Sequence, residues 1–248
     1  MGRSLITIVC YNEIRTIEDI LRRTRTALTT LNEQFPEEQF EVAVVDDASN
    51  DGSERLIRDL ANAYGYIAVR NPTNSGVGYS LWQGFKQARE RGCDKVVIIA
   101  GNGKMSPEQI PTVVGPLIRN ECDFVQGSRY LTGGGHKMPL FRLGGTLLFT
   151  FLVNLFMWAK LSDTTCGFRA YRMKIVDDPR INVNQEWLFR YEMEFYLLFY
   201  ALKLGYRVAE APVTMLYPHK KNYSKIKPFS GWWSMIRPWV LLYSGVRK

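Results

Sequence analysis

Three apolar runs, each stopped by a polar cluster, constrain this chain more than any other feature. LITIVC (5–10) ends in Tyr11-Asn12-Glu13, FEVAVV (40–45) in Asp46-Asp47-Ala48-Ser49-Asn50-Asp51-Gly52-Ser53, and KVVIIA (95–100) in Gly101-Asn102-Gly103-Lys104. Continuous apolar runs of this length read as strands buried on both faces. Helical patterns fall between them: 14–31, with Ile17, Ile20, Leu21 and Leu28 on one face, then Ser53–Ala63 and 79–90, with a short strand at Tyr66–Val69. This β-α-β-α order predicts an α/β fold, a parallel sheet with helices on both faces. Ligands of such sheets bind beyond the carboxyl ends of the strands, which is where the polar clusters lie.

The second half is less regular. Pro107 opens a short helix, 123–127 reads as a strand, and a Gly-rich TGGGH precedes 17 uncharged residues between Arg142 and Lys160. That run is shorter than the ~20 residues a spanning helix needs. With Asn154 inside it, it reads as a helix buried in the domain or lying on a membrane surface. A helix at 190–204 and a strand at 206–213 complete one continuous domain, 1–216, followed by a tail, 217–248. A chain of 248 residues buries enough surface to need no covalent staple. Cys10, Cys93, Cys122 and Cys166 have no metal-ligand spacing, and the N-terminus lacks an apolar leader, so a reducing cytosol is expected.

Lys+Arg less Asp+Glu is 32 − 24 = +8, and seven of the cations lie in 211–248, a stretch without a single acidic residue. The tail KPFSGWWSMIRPWVLLYSGVRK also carries three of the six Trp. Trp beside Lys and Arg suits a membrane interface; the alternative is an aromatic helix packed on the domain, bent or interrupted at Pro238.

An acidic pair at a strand end can accept hydrogen bonds from a nucleobase. Helix capping accounts for Asp51 and Ser53 but leaves Asp46-Asp47 unexplained. No GxGxxG follows the first strand and no GxxxxGK[ST] occurs, which argues against dehydrogenase and P-loop chemistry.

YNE, VVDDASNDGS and NSGVG resemble the nucleotide-sugar half of family 2 glycosyltransferases, which have the GT-A fold. Further on, GSRY (127–130), DTTCGFRAYR (163–172), a Glu-bearing helix before GYRVAEAPV (205–213), and YSK (223–225) resemble the polyprenyl-phosphate sugar synthase branch. The resemblance implies a Rossmann-like sheet and an inverting transfer of sugar from a nucleotide diphosphate to a polyprenyl, dolichyl-type phosphate at a membrane. It implies that Tyr11, Glu13 and one of Asp46 and Asp47 hold the nucleoside. Arg129 and Arg142 would meet the acceptor phosphate, and Asp163 would be the active-site carboxylate. Ser224 and Lys225 would close over the diphosphate. The expected partners are the nucleotide sugar, the lipid phosphate and a membrane surface at its cytoplasmic face, with nucleic acid excluded. Whether the protein is peripheral or held by a membrane-anchoring partner stays open.

Two departures stand out. The family's Asp-x-Asp, which holds Mg²⁺ or Mn²⁺, is replaced by Gly101 and Gly103, and glycine has no ligand to offer. Metal dependence is therefore open: Lys104, helped by Asn102, is the replacement charge for the departing diphosphate, and an inactive binding fold is the alternative. In the closing loop His219 stands where relatives carry Arg, with Lys220 and Lys221 beside it.

A phosphate acceptor is already anionic and needs no strong base, so Asp163 would orient groups. A hydroxyl acceptor would make Asp163 the leading base, with Glu194 behind it. For Arg129, Arg142 and Arg169 the bland reading is structural ion pairing. A nucleic-acid binder would use the basic tail but has no use for Asp46, Asp47, Asp163 and Glu194.

Overall fold

Val, Ile and Leu fill the three apolar runs, and each run becomes a strand whose middle is sealed from water on both faces. The computed structural model describes residues 1–216 and 230–247. In chain order the elements are β1 (Gly2–Cys10), α1 (Ile17–Gln34), β2 (Glu38–Asp46), α2 (Ser53–Tyr64), β3 (Ile67–Arg70), α3 (Val77–Glu90), β4 (Lys95–Ala100), α4 (Ile110–Ile118) and β5 (Phe124–Ser128). There follow β6 (Gly135–His136), α5 (Leu140–Met157), β7 (Arg169–Arg172), α6 (Met173–Val176), α7 (Glu192–Lys203), β8 (Val208–Pro212), β9 (Thr214–Met215) and α8 (Ser230–Tyr243).

The main sheet runs β3-β2-β1-β4-β7-β5-β8. All its pairings are parallel except those of β7, which is antiparallel to β4 and β5. The sheet is thus mostly parallel, as the GT-A resemblance implies. β7 is RAYR, and its two arginines hide the strand from an apolar pattern. Register brings Cys10 opposite Asp46 and Val9 opposite Ala100, so β1, β2 and β4 end side by side and present their polar clusters at one edge.

Alternate strand residues feed two cores. Ile6, Ile8, Val44 and Val97 pack with Ile17, Leu21 and Val114 from α1 and α4. Leu5, Val96 and Ile98 pack with Leu81 and Phe85 of α3 and Tyr196 of α7 on the other face. All four cysteines are buried free thiols.

α5 buries a narrow stripe, Thr146, Phe149, Thr150 and Val153, and points the rest outward. Leu148, Phe151, Leu155, Phe156 and Trp158 are exposed, Phe151 at 61% and Trp158 at 94%. α8 passes through Pro238 without ending and seats Trp239 against Phe149 and Phe199. Leu242 is buried, while Trp233, Ile236, Val240 and Tyr243 face solvent. One face of α8 thus packs on the domain and the other is exposed.

Candidate active site

Hydrogen bonds lock the strand-end loops to one another. The Asp47 amide donates to the Cys10 carbonyl, and the Asn12 amide to Ser49 Oγ at 2.8 Å. The Asn50 amide donates to Asn12 Oδ1 and the Glu13 amide to Ser53 Oγ. Asp51 accepts the first-turn amide of Ser53 and also the Ile14 amide, so it joins two loops as well as serving its helix. Thr16 Oγ1 donates to the Gly101 carbonyl at 2.7 Å and brings the β4 loop to the same place. Tyr11, Glu13, Asn102 and Lys104 are half-buried there.

Asp46 and Asp47, adjacent in sequence, do different work. Asp46 is buried and accepts from Arg70 Nη1 at 2.6 Å and from the Ser49 amide. Asp47 accepts from Asn71 Nδ2, Asn74 Nδ2 and the amides of Ser75 and Gly76. It is the clamp that holds the NSGVG segment at the head of α3. Gly76, at φ +101°, and Gly78 both sit where a Cβ would strike the backbone of 188–190. Their absent side chains let the Gly78 and Tyr79 amides reach the Arg190 and Phe189 carbonyls. Arg70 and Asn71 were not legible as site residues because their partners lie more than twenty positions upstream.

The β4 loop is a tight turn. Gly103 is at φ +71°, the Lys104 amide donates to Asn102 Oδ1 at 3.1 Å, and the Lys104 carbonyl accepts from the Leu216 amide at 2.8 Å. Among the described residues no group of three or more His, Cys, Asp or Glu side chains could hold a metal ion.

On the β5 side, Arg129 and Asp163 form a buried bidentate pair, Nε to Oδ2 at 2.6 Å and Nη2 to Oδ1 at 2.8 Å. Thr165 donates its amide and hydroxyl to the same carboxylate. Burial alone would raise the Asp163 pKa, but Arg129 and these donors hold it below the ordinary 3.8. A carboxylate so engaged is a poor proton acceptor and a good positioning group, and Arg129 is occupied by it. Glu210 on β8 accepts the amides of Ser162 and Asp163 and fixes the loop from below. Arg169 is buried and donates to the carbonyls of Cys166, Thr164 and Glu194, which gives it the structural role.

Glu194, in the first turn of α7, meets the β4 loop across Gly167. A Cβ there would lie 3.0 Å from Glu194 Oε1 and 3.3 Å from Met105 Cε. Burial pushes its carboxyl above the ordinary 4.5 despite the Arg169 charge. Arg142 is half-buried one turn before Thr146, whose hydroxyl is 2.7 Å from that of Tyr130 in GSRY. His219, Ser224 and Lys225 lie outside the described residues.

Comparison with known proteins identifies the family and the fold. Residues 5–178 match the model of glycosyl transferase family 2. The chain is 30% identical over 218 residues to the undecaprenyl-phosphate mannosyltransferase of Micrococcus luteus, covering 86% of this chain and 84% of that protein. It is 26% identical to the UDP-N-acetylglucosamine–dolichyl-phosphate N-acetylglucosaminyltransferase of Methanococcus voltae, covering 86% and 85%. Among solved structures, mannosyl-3-phosphoglycerate synthase from Rubrobacter xylanophilus shares the fold at a TM-score of 0.67 and 18% identity, covering 100% of this chain and 76% of that one.

Proposed function

The chain belongs to glycosyl transferase family 2, and on that premise we propose that it moves a sugar from a nucleoside-diphosphate donor to a polyprenyl phosphate. The nucleoside half of the donor lies over the joined ends of β1, β2 and β4. Tyr11, Glu13 and Asp46 face it, and Asp47 keeps the neighbouring loop in place. The acceptor enters beside GSRY and Arg142.

The observation that carries the lipid acceptor is where the site opens. GSRY is tied through Tyr130 and Thr146 to α5, and α5 turns an apolar stripe outward. Phe156 and Tyr243, with rings 5.6 Å apart, join that stripe to the exposed face of α8. A soluble acceptor gives no reason for two exposed apolar helix faces beside the site, whereas a prenyl chain in a bilayer does. The same surface and a water-soluble donor support a reading in which the protein works at the cytoplasmic side of a membrane.

In the reaction an acceptor phosphate oxygen forms a bond to the anomeric carbon from the side opposite the diphosphate. The carbon–oxygen bond to the diphosphate breaks, its electron pair leaves with the nucleoside diphosphate, and the configuration inverts. The attacking oxygen is already anionic, so no proton need be removed. That agrees with an Asp163 committed to Arg129. Positioning is the main contribution of the Arg129–Asp163–Thr165 network and of Arg142.

The test is a competition between acceptors. With UDP- and GDP-sugars as donors, label is expected in undecaprenyl phosphate and not in prenols or soluble sugars. Preferential labelling of a hydroxyl acceptor would overturn the reading.

A further inference from the structure

We propose that the donor diphosphate is met in this chain by the Lys104 ammonium in place of a bound divalent cation, so that nucleotide binding and transfer proceed without metal. The inference rests on the nucleotide-sugar reading above and concerns how that same site handles charge.

A Mg²⁺ ion on a nucleotide diphosphate is held by phosphate oxygens, water and one or two protein carboxylates, so the chain must supply those carboxylates. The turn after β4 supplies Gly101, Asn102, Gly103 and Lys104. Asn102 Oδ1 is turned inward onto the Lys104 amide. Gly101 is packed as a glycine: a Cβ there would lie 2.9 Å from Ile17 Cδ1 and 3.4 Å from the Val9 carbonyl. Its own carbonyl is taken by Thr16. Gly103 holds the left-handed conformation that closes the turn. The loop is thus shaped around having no side chains at 101 and 103.

Neighbouring carboxylates do not make good the loss. Asp46 is held by Arg70, Asp47 by the 71–76 segment, Asp51 by Ile14 and Ser53, Asp163 by Arg129, and Glu210 by the Ser162 and Asp163 amides. Glu194 faces Met105 across Gly167, and burial favours its neutral form. Glu13 is half-buried and engaged in contacts of its own.

The backbone that carries the Lys104 cation, by contrast, is fixed in position. Asn102 holds the Lys104 amide and Leu216 its carbonyl, so the backbone is pinned on both sides at the end of β4. A lysine ammonium is a compact charge suited to phosphate oxygens, and it repels a dication placed beside it. When the bond from the anomeric carbon to the diphosphate breaks, the electron pair stays on the diphosphate. Lys104 stabilises that charge electrostatically, with no proton transfer required.

Titration calorimetry with UDP and with GDP tests this, each run in EDTA and in excess Mg²⁺. For whichever nucleotide binds, the dissociation constants in the two buffers are expected to agree within about twofold. Lys104→Ala should weaken binding about tenfold in both buffers, and Lys104→Arg should restore part of it. Tightening of tenfold or more on adding Mg²⁺ to the unaltered protein would overturn the proposal with no reliance on a variant. So would a folded Lys104→Ala that binds as well as its parent. Binding of neither nucleotide in either buffer would refute the nucleotide-sugar reading itself, and this inference with it.

Discussion

Asp163→Asn separates a structural carboxylate from a proton-accepting one. Asp163 is fully buried and Arg129 is 4% exposed, with contacts of 2.6 and 2.8 Å between them. Asparagine keeps the shape but removes the charge and leaves the guanidinium without its counter-ion. Breaking a buried pair from one side costs about 3–5 kcal/mol. In a domain of this size that is a fall of roughly 6–20 °C in Tm. The pair Arg129→Met with Asp163→Leu should recover much of the loss, because no charge is then stranded. Acid adds a second signature. The folded pKa of Asp163 lies below 3.8, so its stabilising contribution is complete above that pH and is lost as pH falls through the lower folded value. Asp163→Asn should therefore flatten the acid limb of the stability curve below about pH 4. Scanning calorimetry and urea melts across pH read both effects. A Asp163→Asn protein that melts within about 2 °C of its parent yet has lost transfer would refute the argument and make Asp163 a group acting on substrate.

Other substitutions probe separate parts. Asp47→Ala strands the Asn71, Asn74, Ser75 and Gly76 donors; a loss of about 3 kcal/mol is expected, with weakened nucleotide binding, measurable by urea melts and calorimetry. Glu194 has a raised pKa, so its ionisation opposes folding as pH rises above the unfolded value of 4.5. Glu194→Gln should accordingly gain stability over the parent in that direction, and an equal melting profile at all pH values would contradict it. Leu148→Lys with Phe151→Asp changes exposed positions, so stability should stay within about 0.5 kcal/mol while flotation with anionic vesicles is lost. Retained flotation would remove α5 from the membrane surface.

What could be read from sequence depended on whether a residue's partner was local. β1, β2 and β4 were visible because strands buried on both faces are apolar throughout, and their polar ends marked the site edge. β7 was not. Arg169 is compatible with a central strand because three carbonyls receive its guanidinium, and Arg172 because it donates to the Leu117 carbonyl and Asn120 Oδ1. No pattern along the chain shows such partners. The motifs around Asp46-Asp47, Arg129 and Asp163 drew attention to residues that the fold engages in buried polar networks, but their partners came only with geometry. Asp47 turns to the NSGVG loop and Asp46 to Arg70, while the partner of Asp163 lies 34 residues upstream. Glu210 went unremarked because a strand glutamate gives no sign that two backbone amides lie beneath it.

The proposed transfer makes one bond, from the anomeric carbon of a sugar to the phosphate oxygen of a prenyl lipid. Phosphorus NMR of the lipid recovered after incubation with undecaprenyl phosphate and a panel of UDP- and GDP-sugars observes that bond directly. The phosphomonoester resonance is expected to give way to a phosphodiester, in EDTA as well as in Mg²⁺, and mild acid is then expected to release one free sugar per lipid. A phosphomonoester that persists with every donor, or a sugar recovered on a hydroxyl, would contradict it.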